Sequence, residues 1–417
     1  MIFVTVVINY LDRTNMSIAA SALKQELNID AIQMGYIFSA FGWTYSLLQI
    51  PGGIVADRVK SRILYPILMT LWSIATLFQG VVNSFAALIG LRASIGVFEA
   101  PSYPINNLVV TRWFPENERA SAIATYTSGQ FLGMAVLLPV LALIQDALGW
   151  RGLFIVSGII GLVWAIVWYI CYRDPQNHTK VSEQELRLIE AGGGMVTKED
   201  KSKAVKKMEW ADLALAFRYR KLWGLYLGQF CLGGTTIFFL TWFPTYLIDF
   251  RGLDFIKSGF YASIPYLAAF AGVLLAGFTS DFLVKKGYTP EVSRKTPIII
   301  GMLLSTAIIG ANYTDNNTLI IFFLSLAFFG TGLASIAWVF ISLIAPKEHL
   351  GLIGGTFNFI GGLSGIVVPI VIGFLVQDGD FSPALYFIGA MALFGLICYT
   401  VIVGKVERII LKKRNTQ

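Results

Sequence analysis

The sequence predicts an all-α protein that crosses a membrane many times. Of its 417 residues, 56% are hydrophobic and 14% are charged, and the mean hydropathy is +0.67. A soluble domain of this length does not need so much apolar sequence. The apolar residues form runs of about 20 or more, which is long enough to cross a bilayer as a helix. Since lipid offers no partner for backbone N–H and C=O groups, such runs without strand repeats must be helical.

Polar breaks divide the apolar runs into twelve predicted spans. Six lie in a first bundle (residues 1–172) and six in a second bundle that ends in a short tail (residues 222–417). The polar stretch 173–221 is predicted to be a linker with one or two short helices, one of them opening at Ser182 with a capping-box pattern and ending at Gly192. The predicted spans are 1–23, 33–56, 63–82, 85–113, 119–145, 151–172, 222–248, 257–283, 296–313, 317–344, 350–376 and 382–404.

The basic residues orient these spans. Lys and Arg favour cytoplasmic loops, and most of them lie on the side that carries both termini and the linker. Both termini are therefore predicted to be cytoplasmic. The net charge of +7 follows this topology, so it does not indicate a nucleic-acid-binding surface. The Lys201 to Lys207 cluster is expected to face solvent near anionic headgroups. Because Met1 opens directly into an apolar run, no cleavable signal peptide is expected.

Four charged side chains lie inside the predicted spans and away from their ends, all in the first half: Asp12, Arg13, Arg92 and Glu99. Asp12 and Arg13 would lie near the membrane midplane, where a charge costs at least about 2.5–3.5 kcal/mol and usually faces a cavity or a partner. Arg92 and Glu99 are seven residues apart, two helical turns, so both project from one face of the fourth span. Two acids and two bases form a locally neutral set.

This set of charges has two interpretations. The first is a buried ion pair that only locks two helices together. Alternatively, a carboxylate held between burial and a nearby arginine exchanges a proton as the arginine moves. The planar guanidinium of Arg13 matches a carboxylate bidentately, which predicts an organic anion as substrate and couples anion binding to protonation of Asp12. Tyr10, Tyr45 and Gln130 are predicted to contact the rest of that anion, although the tyrosines are equally consistent with ordinary helix packing.

A charged loop motif occurs in both halves. Gly53-x-x-x-Asp57-Arg58 follows the second span, and Gly277-x-x-x-Asp281 follows the eighth. A generic charged turn is the simpler explanation. The two copies nevertheless resemble the major facilitator superfamily, in which the Asp caps and pairs across neighbouring helices to hold one gate conformation. Lys60 replaces the Gly that is usual in this loop. The resemblance implies a fold of twelve transmembrane helices in two bundles, and a gating role for Asp57, Arg58, Arg62, Arg119 and Asp281.

Within that superfamily, the chain resembles the anion:cation symporters, and in particular the bacterial galactonate and glucarate/galactarate proton symporters. The resemblance implies that Asp12 and Glu99 are proton sites, that Arg13 holds the substrate carboxylate, and that Arg92 pairs with Glu99 or Asp12 depending on state. The matching stretches are 9–13, 34–41, 49–53, 98–101, 113–115, 239–244 and 355–359, with 92–96 and 127–130 closest to the galactonate branch.

In the second half, Ser335, Trp338 and Asn358 match positions that resemble the sugar-contacting set of that family. Asn358 is further favoured because a polar amide within a span needs a partner. Ala337 stands where the galactonate branch carries a hydroxyl residue. Trp242 is expected to be an interface anchor, and Pro244 to mark a helix end.

The predicted function is import of a sugar acid with protons by a monomer in the bacterial inner membrane, with no cofactor besides the coupling proton. Sodium coupling, exchange of another organic anion and export of a hydrophobic cation are alternatives on the same fold, and Arg13 and Arg92 argue against a cation. A membrane-embedded hydrolase would need a nucleophile–base pair or a metal set, and neither histidine (His178 and His349) falls within a span. The three cysteines lack metal-ligand spacing. A channel stays open as an alternative.

Overall fold

The computed structural model describes residues 1–115, 118–194, 216–346 and 349–409. Within these ranges the chain is helical and contains no strand. The first half contains α1 (Ile2–Leu27), α2 (Ala31–Arg58), α3 (Ser61–Gln79), α4 (Phe85–Glu99), α5 (Ser102–Trp113), α6 (Arg119–Cys171) and α7 (Glu183–Ala191). The helices of the second half are Arg220–Thr241, Phe255–Lys285, Pro290–Ser305, Asn317–Ala334, Val339–Ile344, Leu350–Gly362, Ser364–Leu375 and Ser382–Ile397, extended by short 3₁₀ and π turns.

The described helices account for the twelve predicted spans. Nine helical stretches in the described residues are long and apolar enough to cross a membrane. One of them, Thr125–Cys171, covers predicted spans five and six together. The two spans meet at Gly149, where the helix breaks (φ 69°). The remaining two spans are α1, whose apolar character is diluted by buried polar side chains, and α2, which is rich in glycine, tyrosine and glutamine. The predicted helical membrane architecture is confirmed.

The chain divides into two compact units. The first comprises Met1–Lys206 with Leu247–Ser263, and the second comprises Lys207–Tyr246 with Ile264–Gln417. In the first unit, α1 and α3 both pack mainly on α6, and α2 packs on α4. An aromatic core fills the space between α3 and α6, where the Tyr65 ring meets the Trp168 ring edge-on with 4.7 Å between centroids. The bundle boundaries proposed from the sequence stay a prediction.

Gly96 sets how closely α4 approaches α2. A Cβ atom at Gly96 would overlap the Phe41 carbonyl oxygen and the Thr44 hydroxyl. The Thr44 hydroxyl also donates a hydrogen bond to the Ala93 carbonyl at 2.6 Å. Because Gly96 lies between Arg92 and Glu99, this close crossing carries both charged side chains toward α1 and α2.

Polar contacts tie down the end of α1 opposite Met1. Arg151 bonds to Glu26 at 2.8 Å and donates to the Gly80 and Val82 carbonyls. The Trp150 indole donates to the other Glu26 oxygen at 2.6 Å. These contacts join the ends of α1 and α3 to the break in α6. Lys24 adds an ion pair of 2.8 Å to Asp249, which lies in the 247–263 segment of the same unit.

The helix predicted within the linker forms as expected. The hydroxyl of Ser182 accepts the backbone N–H of Glu185 at 3.2 Å, and α7 runs to Ala191 with Gly192 as its C-cap. The predicted Lys201 to Lys207 cluster lies outside the described residues.

The second unit has its own tightly packed interior. The rings of Phe239 and Phe328 stack with 4.1 Å between centroids, and the backbones at Gly301 and Gly330 approach each other directly. Trp242 is fully buried and donates its indole N–H to the Pro369 carbonyl at 3.1 Å. The expectation of an interface anchor at Trp242 is therefore wrong, because the ring fills the interior of this unit. Pro244 does mark a helix end, since the preceding helix stops at Thr241.

Candidate functional site

The candidate site lies in the first unit and centres on Arg13 of α1. Its side chain is 9% exposed and faces Glu99 of α4, which is fully buried. The Arg13 Nε donates to Glu99 Oε2 at 3.2 Å. Nη2 lies 3.2 Å from the same oxygen without the alignment of a hydrogen bond, and Glu99 Oε1 has no hydrogen-bond partner. Each residue of the pair therefore keeps a hydrogen-bonding group that the other does not use: Nη2 of Arg13 and Oε1 of Glu99.

Three aromatic rings surround the Arg13 guanidinium. The Arg13 Cζ lies 4.8 Å from the Tyr10 ring centroid and 4.7 Å from those of Phe41 and Tyr45. Phe41 and Tyr45 are four residues apart on α2, so they share a helix face, and their rings stack at 5.0 Å. Each ring attracts the cation through its quadrupole. The rings thus stabilise the charge of Arg13 without occupying its hydrogen-bond donors.

Arg92 and Asp12 extend the site along α1. Arg92 is buried, and its Nη1 donates to the backbone carbonyl of Asp12 at 3.2 Å. The Asp12 side chain is 1% exposed, and neither carboxylate oxygen makes a hydrogen bond. The predicted one-face arrangement of Arg92 and Glu99 is found, since both reach α1 from α4. The simple pairing of Asp12 with Arg13 is not found, because Arg13 pairs with Glu99.

The other predicted contacts are distributed over both units. Gln130 is half-buried on α6, next to Gly129, which packs on Phe3 of α1. In the second unit, Ser335 is half-buried and donates to the Gly332 carbonyl at 2.7 Å. Trp338 is 48% exposed, and its ring meets Phe357 edge-on at 4.9 Å.

Asn358 directly follows Phe357 and is half-buried. Ser335, Trp338 and Asn358 therefore lie on two neighbouring elements of the second unit, the 3₁₀ turn Ser335–Trp338 and the helix Leu350–Gly362. All three residues lie within the second unit, and their role in binding stays a prediction.

Four of the predicted gating residues belong to the first unit, and Asp281 belongs to the second. Asp57 and Arg58 are exposed in the last turn of α2. Arg62 donates to the Tyr169 carbonyl at 3.4 Å. Arg119 donates to the Gly193 carbonyl at 2.6 Å, which connects the start of α6 to the end of α7. Asp281 falls in the helix Phe255–Lys285, and its side chain lies outside the described residues. Their gating role stays a prediction.

Two contributors to the site were not singled out from the sequence. Phe41 completes the ring cluster around Arg13, and Gly96 permits the close crossing of α2 and α4. The four-residue spacing of Phe41 and Tyr45 was a usable signal, because such residues face the same partner on a helix. Gly96 had no comparable signal, since the chain contains 40 glycines.

The comparison with family models decides the classification. The model described as Major Facilitator Superfamily matches residues 2–290. The chain belongs to the major facilitator superfamily. It is accordingly a membrane transport protein and not an enzyme, as the sequence predicted.

Relatives of similar length support this membership. The chain is 50% identical over 411 residues to a D-galactonate transporter of Escherichia coli O6:H1, covering 98% of this chain and 95% of that protein. It is 42% identical over 423 residues to a probable galactarate/D-glucarate transporter of Bacillus subtilis, covering 100% and 93%. It is 32% identical over 407 residues to a probable L-galactonate transporter of Escherichia coli K12, covering 97% and 88%.

Solved structures show the same fold. A bacterial homologue of the lysosomal transporter Spinster, in an inward-facing conformation, aligns with a TM-score of 0.72 at 19% identity, covering 96% of this chain and 90% of that chain. A D-xylose-proton symporter aligns with a TM-score of 0.71 at 14% identity, covering 97% and 98%. The superfamily fold predicted from the loop motifs is thus confirmed.

Proposed function

We propose that this member of the superfamily imports a sugar acid by proton symport through alternating access. The substrate is a hexonate such as D-galactonate, or a related hexarate or hexuronate. The relatives named as galactonate and galactarate/glucarate transporters support the substrate class. Import in the bacterial inner membrane, by a monomer with both termini in the cytoplasm, completes the proposal.

The observation that carries the proposal is the incomplete pairing of Arg13. A guanidinium and a carboxylate usually form two parallel hydrogen bonds, whereas Arg13 and Glu99 meet at one oxygen. A substrate carboxylate offers Arg13 the two-point contact that Glu99 does not provide. The surrounding rings stabilise the buried, charged guanidinium in the absence of that anion.

Proton coupling follows from charge balance around Arg13. When an anionic substrate takes over Arg13, Glu99 loses its partner, and a buried unpaired carboxylate is strongly unfavourable. Protonation removes this charge, so binding the anion favours binding the proton, and the linkage is reciprocal. Asp12 is the second proton site, because its carboxylate is buried while Arg13, its neighbour in sequence, pairs with Glu99.

The rest of the substrate is assigned to uncharged groups. Tyr10, Tyr45 and Gln130 would contact the polyol chain from the first unit. Arg92, which already reaches the α1 backbone, would pair with whichever carboxylate is charged. The same proposal assigns Ser335, Trp338 and Asn358 of the second unit to the sugar hydroxyls, since these groups suit a polyol. Gating is assigned to Asp57, Arg58, Arg62 and Arg119 of the first unit and to Asp281 of the second.

The test is uptake into proteoliposomes with acid outside, across a panel of hexonates, hexarates and hexuronates. Accumulation of one of these acids, abolished by a protonophore, is the expected result. Accumulation that needs sodium and ignores the protonophore would overturn proton symport and favour the sodium-coupled alternative. Flux that equilibrates but never accumulates would favour exchange. Absence of transport for every acid would overturn the sugar-acid assignment.

A further inference from the structure

A line of buried polar side chains runs between α1 and α3, on a different side of α1 from the Arg13 ring cluster. On α1 it contains Asp12 and Asn15, and on α3 it contains Thr76 and Gln79. All four are at most 1% exposed. The side-chain amides of Asn15 and Gln79 lack a hydrogen-bond partner, and the Thr76 hydroxyl lies near the Asp12 carboxylate.

The register of the two helices follows from two contacts. Gly161 of α6 packs against Ser73 of α3 and Ile8 of α1. Asp12 follows Ile8 by four residues on α1, and Thr76 follows Ser73 by three residues on α3. The Thr76 hydroxyl lies near the Asp12 carboxylate. The matching order indicates that α1 and α3 run in the same direction. The next residues on these faces, at spacings of three, are Asn15 and Gln79, which places them at about the same level, roughly 4.5 Å beyond Asp12 and Thr76.

This line points toward the end of the bundle opposite Met1. Gln79 is the last residue of α3, and it precedes the Gly80 carbonyl that Arg151 holds. Val81 and Asn83 in the following loop are exposed. In the proposed orientation, with both termini in the cytoplasm, this loop faces the outside. The polar side chains therefore lead from Asp12 toward the outer end of α3.

Unpaired polar groups are rare in a protein interior, because burying them without hydrogen bonds is unfavourable. The unpaired amides of Asn15 and Gln79, together with the Thr76 hydroxyl and the Asp12 carboxylate, are suited to holding bridging water molecules, each of which needs several polar partners. We propose that Thr76, Asn15 and Gln79 support a water chain through which Asp12 receives its proton from the outside. The water at the outer end takes up one proton from the bulk solution and passes one inward, each further water does the same, and the Asp12 carboxylate becomes a neutral carboxyl.

The charges that face Asp12 are consistent with a separate proton route. Arg92 and Glu99 approach from α4, and Arg13 follows on α1 itself. None of these groups belongs to the α3 side of the carboxylate. The substrate-binding guanidinium and the proton entry route would thus reach neighbouring residues of α1 from different directions. Because this inference takes Asp12 as a proton site, it rests on the proposed function.

The test is Thr76→Val with Thr14→Val as its matched control. Both threonines are fully buried in parallel helices, but the Thr14 hydroxyl already donates to the Tyr10 carbonyl at 2.6 Å. Proton-driven uptake of the transported sugar acid is measured beside counterflow, which exchanges labelled for unlabelled substrate without net proton movement. Gln79→Leu is a second variant, and Thr76→Ser tests rescue by a hydroxyl.

Thr76→Val and Gln79→Leu are expected to slow proton-driven uptake about tenfold or more, since positioned proton relays contribute at least that much. Counterflow should stay within about twofold of the unmodified protein, because the substrate site is intact. Thr14→Val and Thr76→Ser should change neither rate. Uptake that is unchanged in both Thr76→Val and Gln79→Leu would overturn the water chain while leaving proton symport standing.

Two further outcomes would also overturn the water chain. Equal loss of uptake and counterflow in Thr76→Val, matched by the same loss in Thr14→Val, would show that the line is only a packing contact. Accumulation of substrate by the unmodified protein without protons would overturn proton symport itself. This result is distinct from failure of the water chain alone, in which proton symport persists.

Discussion

Arg13 touches Glu99 through a single carboxylate oxygen. Both Nε and Nη2 of the guanidinium lie 3.2 Å from Oε2, and Oε1 has no hydrogen-bond partner. A pair built only to lock two helices would gain from using both oxygens. The one-point contact is consistent with a pair that separates during each transport cycle, as the proposed function requires.

Replacing either proposed proton site should uncouple transport. In Glu99→Gln or Asp12→Asn the residue is fixed in a form that resembles the protonated state, so no proton is carried at that site and the coupling between proton and substrate is broken. Uphill accumulation should be lost while counterflow is retained. Both rates are measured in the same proteoliposomes. Uphill accumulation that persists in both variants would contradict the assignment.

Arg13→Lys should weaken substrate binding even though the positive charge is kept. Lysine offers a point charge and not a planar fork. Losing one charged hydrogen bond of about 1.5–3 kcal/mol predicts a Kd about 10–150-fold higher. Calorimetric titration of the purified protein with the transported acid checks this.

Tyr45→Phe is the matched control for Arg13→Lys, since it keeps the ring that faces the guanidinium. Its affinity should fall less than that of Arg13→Lys. Equal affinity for Arg13→Lys and the unmodified protein would show that the guanidinium does not hold the substrate.

Gly96→Ala should lower both stability and transport. The added methyl would overlap the Phe41 carbonyl and the Thr44 hydroxyl, and such overpacking costs about 1–3 kcal/mol. Gly90→Ala is the control on the same helix, because nothing lies within 4 Å of a Cβ there. It should be neutral or stabilise by up to about 1 kcal/mol. Thermal unfolding in detergent separates the two, and equal Tm values would refute the close-crossing argument.

The contacts of Glu26 predict a pH-dependent stability. The indole of Trp150 and the guanidinium of Arg151 both bond to Glu26 and hold its pKa below the ordinary value of 4.5. A lowered folded-state pKa stabilises the protein above pH 4.5, and this stabilisation is lost as the pH falls through the lower folded-state pKa.

The measurement is the Tm of the unmodified protein minus that of Trp150→Phe, followed from neutral to acid pH. The difference should be positive at neutral pH and shrink under acid conditions. A difference that grows as the pH falls would have the wrong sign for this bond.

The sequence was a good guide to the helices and to the charged residues. Apolar runs of membrane-spanning length have one structural solution in lipid, so the spans were predictable. Charges inside such runs are conspicuous, so Arg13, Arg92 and Glu99 were recognisable as a group. The seven-residue spacing of Arg92 and Glu99 was enough to place both on one face, and the structure has them there.

Pairing and close contacts were harder to predict. Asp12 and Arg13 are adjacent in sequence, but neighbouring positions on a helix point in different directions. Arg13 consequently turns to Glu99, and Asp12 turns to α3. Trp242 resembled an interface anchor because tryptophan is common there, yet a buried carbonyl accepts its indole N–H. Such outcomes depend on which helices are neighbours, and one sequence does not specify that.

The most direct test of the central claim is whether sugar acid carries protons with it. Proteoliposomes are loaded with a pH-sensitive dye, held at zero membrane potential with no imposed pH gradient, and given the transported acid outside. Acidification of the lumen in step with uptake is the predicted result, with none in Asp12→Asn. Uptake of the acid with no change in luminal pH would contradict proton symport.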